Sequence, residues 1–351
     1  MLVLLTLITP FIALAVSICV IYSIRFLDVV EREPKRIVVL AMVLGAISTV
    51  PVIVFGIFAH MIFVSLGFSA DAFDDFSSIL IAPFSEELVK LVALVALFII
   101  CRSHFNVLTD FLVYACAIAI GFELIENIIY MWSALGGQGQ FSDWINEFNS
   151  RTIFSAGIHA FFSIWLGFGL WVFLWGKTVW SRLLALASFG LSICLHTLNN
   201  LFAFMSNLGP ADQILPINRL GATLSAMFTH FELALFIILI GVAVLSDIRI
   251  LNNFGFSVQE QLFRLGRVDK YSDLYYLKLL TNPINHVFAA SAWSWSLMHH
   301  AEKKPPRTIF RTYAMLAFNL SNSNIGSNAT HRNDEPSLEV TKAIFLIDSL
   351  T

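Results

Sequence analysis

Four short stretches of this chain carry acids, bases and amides at one-turn spacings inside otherwise apolar sequence. The first is Pro83-Phe84-Ser85-Glu86-Glu87-Leu88-Val89-Lys90. Residues three or four apart share a helix face, so Glu86 pairs with Lys90, while Glu87, turned about 100° from Glu86, reaches other partners. The second is Phe122-Glu123-Leu124-Ile125-Glu126-Asn127, which groups Glu123 with Glu126 and Asn127. His159 follows, eight residues after Arg151, and then His196 with Asn200 one turn later. Pro83 lacks an N–H and disturbs the turn before it, which frees backbone groups and a small opening beside the glutamates.

A carboxylate, a histidine and a second histidine with an amide are what water-driven hydrolysis of an amide requires. One group takes the proton from water, and others donate to the oxyanion. The same set offers Glu86, His159 and His196 as zinc ligands, with an open position for the water. Both versions end in hydrolysis. The rival from another class is a proton-coupled membrane transporter that relays protons through the same carboxylates and histidines; an asparagine four residues after a histidine suits an oxyanion donor better than a relay. A retinal-type receptor is disfavoured because the last apolar segment has no lysine. For Glu87 with Lys90, and for Glu123, the competing reading is an ion pair that fixes helix packing. His230 and Glu232 lack a partner motif and read as packing residues.

The elements that must hold these groups are membrane helices. The chain is 58% hydrophobic and 13% charged, with a mean hydropathy of +0.78, against about 25% charged in soluble domains. The net charge of -3, with no basic stripe interleaved with aromatics, sets nucleic acid aside as a partner. Cys19, Cys101, Cys116 and Cys194 are scattered, without the spacing of a disulfide framework or a thiolate metal site. A spanning helix needs about 20 apolar residues, and seven segments qualify: roughly 2–24, 40–68, 78–100, 111–132, 152–175, 183–205 and 223–246. The second is expected to tilt or break near Pro51. The first has no positive n-region and reads as a retained helix rather than a signal peptide. The expected fold class is therefore all-α: a polytopic membrane protein of about seven helices, with a transmembrane domain over 1–246 and a C-terminal tail over 247–351.

Alternate connections divide the basic residues unevenly. One side has Arg25, Arg32, Lys35, Arg36, Arg102, Lys177 and Arg182, with eleven more in the tail; the other has Arg151 and Arg219 beside Asp71, Asp74 and Asp75. The positive-inside rule then puts the N-terminus outside and the tail in the cytoplasm. With that topology Glu86, Glu123, His159 and His196 all fall about 10–14 Å below the outer surface, at a rise of about 1.5 Å per residue. An ionisable group at the centre of a spanning helix costs about 2.5–3.5 kcal/mol, so a shared depth on four helices argues for one polar site. The tail offers an amphipathic stretch (Val258 to Arg267), an aromatic patch (Trp293, Trp295) and a polar run (Ser321 to Asn333), and reads as lying on the inner leaflet or partly disordered.

Taken in order, Glu86-Glu87-x-x-Lys90, Phe122-Glu123-x-x-Glu126-Asn127 with Tyr130, Arg151 before His159, and His196-x-x-x-Asn200 resemble the motifs of the PrsW family of intramembrane proteases, distant relatives of the CAAX-processing prenyl endopeptidases. The resemblance covers residues 78–205. It implies that Glu86 or Glu87 activates water with help from His159, that His196 and Asn200 hold the oxyanion, and that Glu123 and Glu126 are a supporting or metal-binding pair. It also implies a membrane-protein substrate, such as a single-pass signalling regulator, cut near one face of the bilayer. The CAAX-type relatives usually carry EExxxR rather than Glu86-Glu87-x-x-Lys90, and a histidine where this chain has Glu123 and Glu126. Those departures speak against prenyl-protein processing and lean towards a metal-free glutamate mechanism, with zinc left open.

Overall fold

The computed structural model describes residues 2–28, 32–136, 140–208, 215–265, 277, 281, 312–317, 320 and 338–348, and among them there is no strand. The chain forms two compact units. The first comprises Met1–Arg25, Pro34–Phe105 and Asp110–Leu239; the second comprises Phe26–Glu33, Asn106–Thr109 and Ile240–Thr351. The helices are α1 (Leu2–Leu27), α2 (Lys35–Ser65), α3 (Ala70–Phe76), α4 (Ala82–Ile100), α5 (Leu108–Ser133), α6 (Phe141–Glu147), α7 (Ile158–Trp175), α8 (Val179–Ser206), α9 (Pro216–Arg264) and α10 (Leu338–Asp348).

Six stretches of the described residues are long and apolar enough to cross a membrane: α1, α2, α5, α6 through α7, α8 and α9. This is an all-α, multi-spanning membrane protein. The remaining expected segment, 78–100, contains α4, whose Glu86, Glu87 and Lys90 lower its apolar character and are all buried. Two other expectations change. α2 runs unbroken through Pro51, whose ring lies on an exposed face. The last helix extends to Arg264, well past 246, and takes in most of the stretch expected to be a separate amphipathic segment.

α5 is the central element of the first unit, because 89% of its apolar window is buried against 22% to 33% for α1, α2, α8 and α9, whose outer faces are apolar and exposed. The approach of α2 to α5 depends on two glycines. A Cβ on Gly45 would overlap the Ile118 carbonyl, and one on Gly121 would overlap the Met42 carbonyl. Such close backbone contact is a standard route to helix association in lipid, where no hydrophobic force drives helices together. α1 is fastened by indole N–H groups: Trp144 Nε1 donates to Thr9 Oγ1 at 3.0 Å and Trp132 Nε1 to the Thr6 carbonyl at 3.1 Å.

In the second unit the described residues build their own core. Leu251, Phe254, Val258 and Leu262 form one stripe of α9 and pack with Tyr313, Ala314, Ala317, Val340, Ala343 and Ile347. Thr109 Oγ1 donates to the Asp247 carboxylate in the same unit. This part of the tail is thus packed helix. Trp293, Trp295, the run from Ser321 to Asn333 and the end of the amphipathic stretch at Arg267 lie outside the described residues.

The glycine seam gives a direct test. Gly45→Ala and Gly121→Ala are each expected to destabilise the protein by about 1–3 kcal/mol or more through overpacking. Gly56→Ala, on the same α2 helix with open space around it, is expected to leave the thermal midpoint in detergent unchanged.

Candidate active site

The polar site is organised around an ion pair with no exposure to solvent. Lys90 Nζ lies 2.8 Å from Glu87 Oε1, and both side chains are 0% exposed. Isolated buried charges would be prohibitive, so every remaining valence must find a partner. Glu87 Oε1 also meets His196 Nδ1 at 3.1 Å, while its Oε2 accepts from Ser163 Oγ and Ser192 Oγ, each at 2.8 Å. Lys90 Nζ reaches His159 Nδ1 at 2.9 Å, stands 3.6 Å from Glu86 Oε2 and lies over the Phe122 ring at 4.3 Å. Side chains from α4, α5, α7 and α8 therefore meet at one point, and the convergence expected from the sequence is present.

These partners assign the imidazole tautomers. An ammonium only donates, so the nitrogen of His159 facing Lys90, Nδ1, must accept, and its proton sits on Nε2, 2.9 Å from Glu126 Oε2. A carboxylate only accepts, so His196 carries its proton on Nδ1 towards Glu87, and its Nε2 lone pair is directed to the side of Glu86 Oε2, 3.8 Å away. One ion pair thus holds the two histidines in opposite tautomers. Their rings stand nearly perpendicular, with centroids 5.0 Å apart.

The two acids of α5, Glu123 and Glu126, have different partners. Glu123 accepts from the Gly157 N–H at 2.8 Å and the His159 N–H at 3.3 Å, so it caps the start of α7 and fixes where His159 enters the site. Gly157 has φ +81°, a left-handed conformation that favours glycine. Glu126 links His159 to Arg151, whose Nη1 is 3.5 Å away. The Arg151 guanidinium also pairs with Glu147 at 3.5 Å and stacks over the Tyr130 ring at 3.3 Å.

Asn200 is explained by Pro83. Residues Ser77–Ile81 form a π-helical turn between α3 and α4, in which the Ala82 N–H bonds to the Ser77 carbonyl five residues back. The next bond in that register would run from residue 83 to the Ser78 carbonyl, and proline has no N–H. Asn200 Nδ2 supplies it instead, at 2.9 Å. A second π-helical turn, Phe148–Phe154, precedes α7. Such turns recur at functional sites, and both border the same cavity.

That cavity, about 650 Å³, is lined by Glu86, His159, His196, Asn127, Arg151 and Asn200 among others. Glu87 and Lys90 lie behind it. Sequence reasoning missed Ser163 and Ser192, although each sits one turn from its histidine, at His159 plus four and His196 minus four. It also missed Glu147, Asn199 and Gly157, for which the sequence carries no spacing signal.

Donor atoms of Glu86, His159 and His196 lie within 4.8 Å of one another, the arrangement of a metal site. Glu86 Oε2 is buried with no hydrogen-bond partner, and His196 Nε2 has an open lone pair. His159 contributes a nitrogen only by releasing Lys90 or Glu126. The set fits a divalent cation, and the carboxylate behind His196 is the outer partner that metal-bound histidines commonly have.

A family model described as PrsW family intramembrane metalloprotease matches residues 33–228, more than half of the chain and all of the site described above. No curated protein and no solved structure matches the chain.

The link between Asn200 and Pro83 is testable by a double-mutant cycle. Asn200→Ala alone removes the donor to the exposed Ser78 carbonyl and is expected to cost about 0.5–1.5 kcal/mol of stability. In a Pro83→Ala background, where residue 83 regains its N–H, the same substitution is expected to cost clearly less; equal costs in both backgrounds would break the link.

Proposed function

The chain belongs to the PrsW family of intramembrane metalloproteases, and on that premise we propose how it cuts and where. It is a protease with a buried Glu/His/His cluster. The hydrolytic water binds at Glu86, whose Oε2 has no hydrogen-bond partner among the described residues and lies 3.8 Å from His196 Nε2. Glu86 takes the proton as the water attacks the scissile carbonyl. The second N–H of Asn200 donates to the oxyanion, joined by His159 Nε2–H once it releases Glu126, and Glu86 returns the proton to the leaving amine, so the peptide bond is exchanged for a carboxylate and an amine. Glu87, Lys90, Ser163 and Ser192 position the histidines, while Glu123, Glu126, Asn127 and Arg151 support the α7 side. A divalent cation such as zinc, when held by Glu86, His196 and His159, would supply Lewis-acid polarisation of the water and carbonyl.

The substrate is a membrane-embedded protein, and we propose a single-pass one, such as a signalling regulator, cut near the extracytoplasmic face. This rests on the positive-inside charge pattern, which places the N-terminus outside and residues 247–351 in the cytoplasm, with seven crossings when α4 is counted. Residues 1–246 are then the protease domain and 247–351 its tail. The observation that carries the reading is Glu86 Oε2, without a hydrogen-bond partner among the described residues and 3.8 Å from His196, in a residue that lines the cavity.

The test is a comparison of new N-termini in the host membrane proteome when the wild-type chain, Glu86→Ala or His159→Ala is expressed. Wild-type-dependent termini within or beside apolar segments are expected, and loss of a group acting in the transition state is expected to lower cleavage by about 10²–10⁴-fold while the protein remains inserted. Full activity in either variant would refute the assignment. A parallel arm with a chelator separates the metal-dependent from the metal-free form.

A further inference from the structure

α9 turns towards its neighbours a stripe that begins polar and ends apolar: Asn218, Gly221, Ser225, Thr229, Glu232 and Phe236. Ser225 and Thr229 line the catalytic cavity. Just beyond them, Phe228 meets Phe202 of α8 and Phe236 meets Phe161 of α7, with ring centroids 5.4 Å and 5.1 Å apart. Glu232 lies between these two contacts, three residues past Thr229, or about 4.5 Å along the helix axis. It is therefore set in the seam of α7, α8 and α9, one turn from the cavity.

Glu232 is 1% exposed, and neither of its carboxylate oxygens has a hydrogen-bond partner among the described residues. The same stripe shows that α9 satisfies polar groups elsewhere. Asn218 Nδ2 donates to the carbonyls of Met205, Ser206 and Leu208, and its Oδ1 accepts from the Leu215 N–H. His230, two residues from Glu232 on an exposed face, has its Nδ1 2.6 Å from the Ala226 carbonyl. A carboxyl buried in a membrane protein without a partner is costly, and such a group next to a reaction cavity requires an explanation beyond packing. The matched family region stops at residue 228, four residues before Glu232.

The chemistry of the cavity indicates what would complete that carboxyl. Its oxygens need hydrogen-bond donors. Four glutamates line the cavity (Glu86, Glu123, Glu126 and Glu147) against one cation, Arg151. Arg151 is already shared between Glu126 and Glu147. A surplus of acid in a recessed site draws in cationic groups. Lysine and arginine have side chains long enough to cover one helical turn while their stems lie along apolar surface.

We propose that Glu232 is a specificity-determining residue of the protease: it receives the side chain of a substrate lysine or arginine that lies within, or at the edge of, the apolar segment being cut. This rests on the proteolytic reading of the cavity. The stripe of α9 then acts as one wall of the substrate path, with Ser225 and Thr229 beside the substrate backbone and Glu232 as the subsite at its inner end.

The test uses the full chain in proteoliposomes with synthetic apolar segments that differ at one guest position, filled in turn by Lys, Arg, Gln or Leu and stepped along the segment. Products are read by mass spectrometry. At one fixed spacing from the cut, wild type is expected to favour Lys and Arg over Leu by about tenfold or more in kcat/KM, mainly through KM, as for uniform substrate binding. Glu232→Gln, which keeps the size, is expected to lose most of that preference, and Glu232→Leu all of it, with folding checked by size exclusion. Wild-type preference retained in both variants would overturn the assignment. So would a wild-type enzyme that cuts Leu guests as well as Lys guests at every spacing, a result that needs no variant to fold and leaves the protease reading standing. If wild type cuts no segment beyond the Glu86→Ala background, the protease reading fails and this assignment fails with it.

Discussion

A buried Glu87–Lys90 pair is the constraint from which the rest of this site follows. Two charges with no solvent exposure, in a protein whose outer faces are apolar, must satisfy each other and find partners for every remaining donor and acceptor. Glu87 does so with Ser163, Ser192 and His196, and Lys90 with His159 and the Phe122 face. Helices α4, α7 and α8 are thereby tied at one level, and α5 contributes the ring beneath the ammonium. Removing either member would leave the other buried without its ion-pair partner, at a cost of about 3–5 kcal/mol. The same pair orients the chemistry. Because an ammonium donates and a carboxylate accepts, the two histidines that look equivalent in sequence end up with different nitrogens available, and only His196 presents a free lone pair beside Glu86.

Catalysis by water inside a membrane protein needs an opening as well as a base. Here the opening is written into the backbone. Pro83 cannot continue the hydrogen-bond register of the wide turn before it, and Asn200 completes that turn from a neighbouring helix. A second wide turn carries Arg151, whose guanidinium ties Glu126 to Glu147 over the Tyr130 ring. Glu86 therefore borders a cavity while Glu87, its neighbour in sequence, is sealed behind it. Adjacent glutamates turned about 100° apart on a helix place a cavity-lining carboxylate and a sealed one at two consecutive residues.

Much of this was legible in the sequence because charges in apolar helices are rare and one-turn spacing fixes a face. The convergence of Glu86, His159 and His196 followed from the shared depth of their helices, and the separate partners of Glu86 and Glu87 followed from their angular offset. What was not legible depended on tertiary contacts. Nothing local marks Glu123 as the cap of α7, since its partners are the backbone N–H groups of Gly157 and His159. The pairing of Asn200 with the Ser78 carbonyl spans more than a hundred residues. Pro51 did not break the helix: it removes one backbone hydrogen bond, and the remaining turns of α2 continue on both sides of it. The length of α9 was underestimated because its second half leaves the apolar pattern and packs instead into the core around Tyr313 and Ile347.

The opposite tautomers of the two histidines are the most direct consequence of the buried pair, and nitrogen chemical shifts read them without any substrate. With ¹⁵N-histidine incorporated into the full chain in lipid nanodiscs, and His159 and His196 assigned by single substitutions, His159 is expected to carry its proton on Nε2 and His196 on Nδ1. Both histidines in the same tautomer, or His196 protonated on the nitrogen that faces Glu86, would contradict the account.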